Sequence, residues 1–254
     1  MAKRGQVTTF IIVGIVLLIV IILALFARDF GVGVAPKKYL ESNLEPVEDE
    51  VGRCADDIAL KGLNLIGSQG GDMNPSNYKL NDGNKIKYLC LNIQNDKRCM
   101  NILDPLSNIE KQLNDFMNFE MNKCVDLNKF KGFFERYDIK SGNPKIEARI
   151  LDDNVLINVD YPITLTKEGE KITLPKVVRK VDVPLGSLYG DVYNIVQSHA
   201  SLGEFDSLPY MLGRRGEVEI ETLKPYPDTI YILNKRNSNY IFQFAIQGEE
   251  ESIE

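Results

Sequence analysis

The side chains that could carry out catalysis are few in this sequence and stand far apart. His199, the single histidine, lies in the segment QSHASLG beside Ser198 and Ser201. A serine nucleophile needs a histidine that converges on it from another part of the fold, and neighbours along one helix do not converge in this way. The chain also lacks a His-Glu-x-x-His sequence, a phosphate-binding loop and a dinucleotide fingerprint. We therefore predict no catalytic residue, no cofactor and no enzymatic activity.

Two pairs of neighbouring carboxylates, Asp56 with Asp57 and Asp152 with Asp153, are the other candidates for chemistry. Such pairs can act as acid and base or bind calcium. The second pair falls in a predicted hairpin turn, where aspartate is favoured for backbone reasons. The sequence therefore favours solvated turn residues and no metal site. An anchored hydrolase would require His199 or one of these pairs to lie in a cleft with oriented partners.

The four cysteines Cys54, Cys90, Cys99 and Cys124 form an even set in the first half of the chain. An even number in an exported domain favours two disulfides, for which three pairings exist, over free buried thiols. Zinc is disfavoured because no Cys-x-x-Cys sequence is present. The turn QNDKR lies midway between Cys90 and Cys99, so these two would face each other across a hairpin. Cys54 and Cys124 would then join two helices.

Periodic patterns indicate the elements that carry these residues. Apolar residues recur at helical spacing from about Val47 to Ile66, from Asp104 and Pro105 to about Cys124, and from Leu185 to Ser201. The Asn81–Asn84 sequence NDGN predicts a hairpin turn. From Tyr137 onwards the pattern alternates, and a strand over Lys171–Val183 changes phase near Pro175. The fold class that follows is α+β, with helices packed on an antiparallel β-meander.

The segment from Phe10 to Ala27 contains only apolar residues and glycine. Its eighteen residues would make a helix of roughly 27 Å, close to the thickness of a bilayer's hydrocarbon core. A buried core helix would need apolar neighbours on every side, and a cleaved secretory signal would be shorter and end in small residues. We therefore predict a transmembrane helix. Its flanking charges lean towards a cytoplasmic amino terminus.

The residues before this segment resemble a known type of signal. Lys3 and Arg4 precede Gly5, and Gln6 is followed two positions later by Thr8. This pattern is similar to the class III signal of archaeal type IV prepilins and to the leaders of single-pass archaeal surface proteins. The resemblance implies cleavage between Gly5 and Gln6, with the apolar helix retained. Phe10 stands where prepilins carry a glutamate that helps to register subunits in a filament.

These observations predict six segments. Residues 1–9 form a cytoplasmic stub or leader, 10–27 the transmembrane helix, 28–46 a linker, 47–136 a helical cysteine-containing subdomain with a hairpin, 137–247 an antiparallel sheet with helix 185–201, and 248–254 an acidic disordered tail. After Ala27 the chain has 28 basic and 36 acidic residues. This net charge of −8 makes nucleic acid an unsuitable partner. The short basic stretches GRRGE and NKRN are expected to be solvated turns.

The sequence leads to three functional hypotheses for this protein. The first is a single-pass, membrane-anchored extracytoplasmic protein with a structural or adhesive role, whose partners are the bilayer, other proteins or further copies of itself at the cell surface. A pilin-like subunit processed after Gly5 belongs to the same class. The second is an anchored module that binds a solute or glycan in a cleft between the meander and helix 185–201. The third is the anchored hydrolase.

Overall fold

The structure is a computed structural model that describes residues 13–22, 44–130, 132, 137–167 and 169–249. The chain divides into two units, Met1–Asn43 and Leu44–Glu254. In the first unit, residues 13–22 are helical. Of the helices within the described ranges, none is long and apolar enough to cross a bilayer. The predicted span 10–27 extends beyond the described residues, and Gly5 and Gln6 lie outside them, so the span and its cleavage stay predictions.

The second unit is an α+β fold, as predicted. Its helices are α1 (Glu45–Ser68), α2 (Leu106–Cys124), α3 (Leu185–Leu202) and α4 (Ser207–Gly213), with a 3-10 helix at Leu127–Phe130. Its strands are β1 (Tyr78–Asn81), β2 (Asn84–Ile93), β3 (Asp96–Asn101), β4 (Asp138–Ser141), β5 (Lys145–Ile150), β6 (Val155–Asp160), β7 (Ile163–Lys167), β8 (Glu170–Thr173), β9 (Val177–Val181), β10 (Val218–Leu223), β11 (Thr229–Lys235) and β12 (Ile241–Ile246).

Disulfide bonding is confirmed, and it joins the pairs that the sequence indicated. The Cys54–Cys124 bond connects the buried face of α1 to the last residue of α2, with 5.9 Å between the Cα atoms. The Cys90–Cys99 bond closes the β2–β3 hairpin. These cysteines do not sit directly opposite each other, because Cys90 pairs with Asn101 and Cys99 with Asn92. The bond therefore crosses the hairpin diagonally, over a Cα–Cα distance of 5.5 Å.

The largest sheet differs from a simple meander. Its strand order is β1-β2-β12-β11-β10, with β3 attached to β2. The pairing of β12 with β2 is parallel and joins residues more than 150 positions apart, whereas the neighbouring pairs are antiparallel. The predicted segments 47–136 and 137–247 therefore share one sheet. Helix α3 covers one face of this sheet, where its buried residues Leu188, Val192 and Ile195 pack.

The other strands form two three-stranded sheets, β4-β7-β8 and β5-β6-β9. The predicted strand Lys171–Val183 is wrong as a single element, because it is interrupted from Leu174 to Lys176. Its first half, β8, pairs with β7, whereas its second half, β9, pairs with β6. Proline cannot donate a backbone hydrogen bond. The phase change at Pro175 therefore marks the point at which the chain leaves one sheet for another.

Helix α2 covers the outer edge of β5 with side-chain acceptors. Ile146 N–H donates to Asn118 Oδ1 at 2.9 Å, Ala148 N–H to Asn114 Oδ1 at 2.6 Å, and Ile150 N–H to Glu110 Oε1 at 2.8 Å. Four residues of a helix rise about 6 Å, and two residues of a strand span about 6.6 Å. Acceptors on every fourth residue of α2 therefore match N–H donors on every second residue of β5. We call this set of three bonds the β5 ladder.

The carboxyl-terminal tail begins later than predicted. Gly248 N–H donates to Asp228 Oδ1 at 3.1 Å, and Glu249 Oε1 accepts a hydrogen bond from Asn95 N–H at 3.0 Å. The expectation of disorder from residue 248 is thus wrong for these two residues, because Gly248 donates to a buried carboxylate and Glu249 accepts from a turn N–H. Residues 250–254 lie outside the described part of the chain.

Candidate functional site

A cleft of about 1010 Å³ lies between the β5-β6-β9 sheet and the end of the largest sheet. The β5–β6 turn and the segment from β9 into α3 line one side, with Asp152, Asp153, Asp182 and Ser187. The α4–β10 connection and the β11–β12 turn line the other side, and α1 contributes Leu60 and Asn64. The binding hypothesis called for a cleft between the meander and helix 185–201. This cleft reaches α3 at Ser187, and ligand binding there stays a prediction.

Backbone bonds hold the acidic side of the cleft against the start of α3. Gly186 N–H donates to Leu151 O at 3.3 Å, and Ser187 N–H donates to Asp152 O at 3.1 Å. A side chain on Gly186 would collide with the backbone of Leu151, so glycine is what allows this approach. The turn that carries Asp152 and Asp153 is therefore fixed in place, while their carboxylates line the cleft.

The basic side of the cleft is built around a buried carboxylate, Asp191 of α3. Its side chain is 2 % exposed, and Tyr210 OH donates to Oδ1 at 2.8 Å. Arg214 Nε lies 3.1 Å from Oδ1 and Lys235 Nζ lies 3.0 Å from Oδ2. Both distances are short enough for ion pairs. Neither contact is a hydrogen bond, because Asp191 Oδ2 and Arg214 Nε have no hydrogen-bond partner among the described residues. We call Asp191, Tyr210, Arg214 and Lys235 the Asp191 cluster.

Two cations therefore share one buried carboxylate, and both of them line the cleft. Arg214 keeps 40 % of its side chain exposed and Lys235 keeps 13 %. Burial, together with the nearby Asp191 carboxylate, raises the pKa of the Tyr210 hydroxyl, so this group stays protonated as a donor. The cluster consequently carries a net charge of +1 at neutral pH, directed towards the cleft.

The turns beside the cluster add a third cation, Arg236. Its backbone N–H donates to Glu217 O at 3.0 Å, which joins the β11–β12 turn to the start of β10. Gly216 has a φ of 68°, and a Cβ there would lie 2.9 Å from the Arg236 guanidinium. Glycine therefore lets the turn adopt a left-handed conformation and leaves space for Arg236 at the rim.

The floor of the cleft is fastened to α1 through Tyr240. Tyr240 OH donates to Leu63 O at 2.9 Å, and only 6 % of the residue is exposed. Burial raises the pKa of this hydroxyl. A side chain at Gly67 would overlap the Ile241 carbonyl and the Tyr240 ring, so α1 can approach here only because residue 67 is glycine. Tyr240 is thus a support for the cleft and offers little ring surface to a ligand.

His199 lies away from this cleft, in an aromatic cluster. Its Nε2 is 2.8 Å from Tyr231 OH, and the two ring centroids are 5.6 Å apart. Burial lowers the pKa of His199 to about 4. Ser198 Oγ donates to Glu204 O and Ser201 Oγ accepts a bond from Gln197, so each hydroxyl is bound elsewhere. The structure places no serine nucleophile on this histidine within the described residues.

The two carboxylate pairs have different surroundings. Asp56 is paired with Arg179 of β9, and Asp57 accepts a bond from Arg53 at 3.0 Å, so both are neutralised by arginine beside a smaller cleft of about 380 Å³. Asp152 and Asp153 line the large cleft. Within the ranges that the structure describes, no group of three or more His, Cys, Asp or Glu side chains is arranged to hold a metal ion.

Sequence reasoning missed the Asp191 cluster and was wrong about one of its members. Lys235 of NKRN was expected in a solvated turn, but it lies largely buried against Asp191. Arg214 of GRRGE is likewise partly buried there. A signal was present, because Asp191 falls on the apolar stripe of α3 beside Leu188 and Ile195. A carboxylate at a core position requires a partner from elsewhere in the chain.

The second unit is thus a disulfide-bonded α+β domain with a charged cleft built over a buried carboxylate. In comparisons with known proteins, no family model matches the chain, and no curated protein or solved structure is similar to it.

Proposed function

We propose that this protein is a single-pass, membrane-anchored extracytoplasmic module that binds a polar solute or glycan in the large cleft. The cleft is the observation that carries the proposal, because its size is at the upper end of the range of small-molecule sites. The uninterrupted apolar segment 10–27 supports the anchor. The two disulfides support an oxidising compartment for the domain.

Binding is a better interpretation than catalysis for this cleft. Asp152 and Asp153 line it, but the histidine is packed elsewhere and both serines next to that histidine are bound to other groups. A general acid or base needs a positioned partner and a tuned pKa. The polar side chains of the cleft instead offer donors and acceptors for recognition, so we propose no enzymatic activity.

The binding proposal is tested by filling the cleft. Asn239 is exposed and lines it, so Asn239→Trp should obstruct the site without disturbing the core. Asn122→Trp on α2 is the matched control, because Asn122 is exposed and lies outside the cleft. The full chain in phosphatidylcholine nanodiscs would be screened against labelled neutral and acidic oligosaccharides. We expect ligands that bind the wild type and the control but fail to bind Asn239→Trp; equal binding by both variants would contradict the proposal.

The anchor and its sidedness are tested by the intact mass of the protein taken from its native membrane, with thiols blocked and no reductant. A chain that begins at Gln6 and carries no blocked thiol would support cleavage after Gly5 and an exported domain. A chain that retains Met1 or Ala2 with four blocked cysteines would contradict both, because disulfides do not persist in a reducing compartment.

A structural or adhesive role is the second candidate, and the edge strand β10 favours it. This strand ends the largest sheet, and the N–H of Ile220 on β10 donates to the Met211 sulfur at 3.2 Å. Sulfur is a weak acceptor, so this edge is poorly protected against pairing with another strand. Concentration-dependent association of the full chain that Ile220→Pro abolishes would support this role.

A further inference from the structure

We infer that the ligand of the large cleft is an acidic carbohydrate whose anionic group is bound by Arg214, Lys235 and Arg236. This inference rests on the proposed binding function and names its ligand class. The cleft combines a positive region with a set of carboxylates on separate elements. A sugar that carries one acid group and several hydroxyls suits both, because the acid group can bind the cations and the hydroxyls can donate to the carboxylates.

Charge in the cluster is left uncompensated inside the domain. Asp191 neutralises one of the two cations in contact with it, and Arg236 adds another at the rim. In the part of the chain that the structure describes, Arg214 and Lys235 have Asp191 as their carboxylate partner. Glu217 also lines this side of the cleft, but neither it nor Arg236 makes an ion pair within 4.0 Å among the described residues. Cations held together in a partly dry site repel one another, so an anion placed between them is favoured.

Arg214 remains partly accessible to this anion. Its Nε lies 3.1 Å from Asp191 Oδ1, and 40 % of its side chain is exposed beside the cleft. A guanidinium binds a carboxylate or sulfate through two parallel hydrogen bonds, and such bonds are stronger than neutral ones. Asp191 contacts both Arg214 and Lys235 and offsets part of their positive charge.

The acidic side restricts how many charges the ligand can carry. Asp152, Asp153 and Asp182 accept hydrogen bonds from hydroxyl groups but repel further anions. A densely charged polyanion is therefore disfavoured, and a sugar chain with an isolated acid group is favoured. Tyr240 is the lining aromatic residue and is almost fully buried, so ring stacking contributes little. Binding should depend mainly on charge and weaken as salt is added.

The test compares two forms of one ligand on the full chain in phosphatidylcholine nanodiscs. The probes are a trisaccharide with a single glucuronate residue and its carboxyl-reduced, neutral form, measured by calorimetry. We expect the acidic form to bind at least tenfold more tightly at low salt. Arg236→Gln should weaken the acidic form about tenfold, as loss of one charged hydrogen bond does, and leave the neutral form unchanged. Arg215→Gln, which removes an exposed charge outside the cleft, should change neither.

Each result separates the inference from the proposed function. Equal binding of both forms, obstructed by Asn239→Trp, would overturn the acidic ligand and leave the cleft as a binding site. Sodium acetate that binds as tightly as the acidic trisaccharide would overturn the carbohydrate in favour of a small organic anion. If no probe binds to the wild type, the inference and the proposed function fail together.

Discussion

Two buried aspartates show how differently one fold can use the same side chain. Asp228 is 5 % exposed and accepts hydrogen bonds from Lys79 Nζ at 2.7 Å, Tyr88 OH at 2.9 Å and Gly248 N–H at 3.1 Å. Asp191 is 2 % exposed and has two cations beside it, but accepts one hydrogen bond, from Tyr210. The first carboxylate has one cation and hydrogen bonds to both of its oxygens. The second has two cations, and its Oδ2 contacts Lys235 without a hydrogen bond.

The difference separates a structural site from the proposed binding site. The bonds of Asp228 connect β1, β2, the start of β11 and the end of the described chain, and its charge is balanced internally. The two cationic partners of Asp191, Arg214 and Lys235, instead line an open cleft, and only one of their two charges is balanced by Asp191. Buried polar groups are normally satisfied by hydrogen bonds, and Oδ2 of Asp191, which has none among the described residues, supports the proposed binding role of this site.

The largest effect should come from Asp228. We expect Asp228→Asn to lower the free energy of unfolding by about 3 kcal/mol, because it removes a buried charge that balances the partly buried Lys79 and accepts three hydrogen bonds. Urea unfolding of the full chain would measure this, with Asp115→Asn on the exposed face of α2 as the control. Ligand binding by the folded Asp228→Asn protein should be unchanged. A loss below 1 kcal/mol would contradict the structural role of Asp228.

Asp191→Asn should have a smaller effect on stability, about 2 kcal/mol, because Arg214 is partly exposed and can be hydrated when its partner is lost. Although Asp191→Asn should destabilise the fold, it should strengthen ligand binding. Removal of one negative charge beneath the cleft should strengthen binding of the acidic trisaccharide several-fold at low salt. Calorimetry on this variant and on Asp228→Asn would compare the two aspartates directly; weaker binding by Asp191→Asn would show that orientation of Arg214 matters more than charge.

The tyrosines that donate to the two carboxylates extend the comparison. Burial and the Asp228 carboxylate raise the pKa of Tyr88, which therefore remains a donor throughout the accessible pH range. We expect Tyr88→Phe to cost about 1.5 kcal/mol and Tyr210→Phe about 0.5 kcal/mol, since Tyr210 is less buried. Thermal unfolding of both variants would test this order. Equal losses would mean that the two sites are equally closed to water.

His199 provides a third buried titratable group on the same helix as Asp191, but its hydrogen-bond partner, Tyr231, is neutral. Burial lowers the pKa of His199 to about 4, so the unfolded chain takes up this proton more readily than the folded chain. Stability from this group is present above pH 6.5 and is lost as the pH falls towards 4. We expect a loss of about 1 kcal/mol between pH 6.5 and 5.5, and His199→Gln should remove that slope. An unchanged slope would show that other groups control acid stability.

Local patterns predicted much of this fold. Apolar spacing gave α1 and α3 to within about two residues, and the turn NDGN gave the β1–β2 hairpin. The disulfides followed from the position of a turn between Cys90 and Cys99 and from the remaining pair. The helices and the hairpin depend on residues close in sequence. The second disulfide followed because, once Cys90 is paired with Cys99, only Cys54 and Cys124 remain.

The rest depends on contacts between distant segments. The parallel pairing of β12 with β2 joins the two ends of the domain, and no local period encodes such a partner. The cleft likewise forms where α1, the β5–β6 turn and the β11–β12 turn meet. Arg214 and Lys235 looked like ordinary turn residues, because the reason for their burial, Asp191, lies more than 20 residues away.

The β5 ladder depends on the Cys54–Cys124 disulfide, so we expect the solubility of this domain to depend on whether that bond is oxidised. Helix α2 can cover the edge of β5 only while its acceptors stay opposite the N–H groups of the strand. The Cys54–Cys124 bond holds the carboxyl-terminal end of α2 against α1. If that bond is reduced, α2 is released more easily and three donors of β5 become available to the same strand in another molecule. We therefore expect the Cys54–Cys124 bond to protect the edge of β5 from pairing with another molecule. Reduced protein should show increased light scattering, which Ala148→Pro on β5 should suppress.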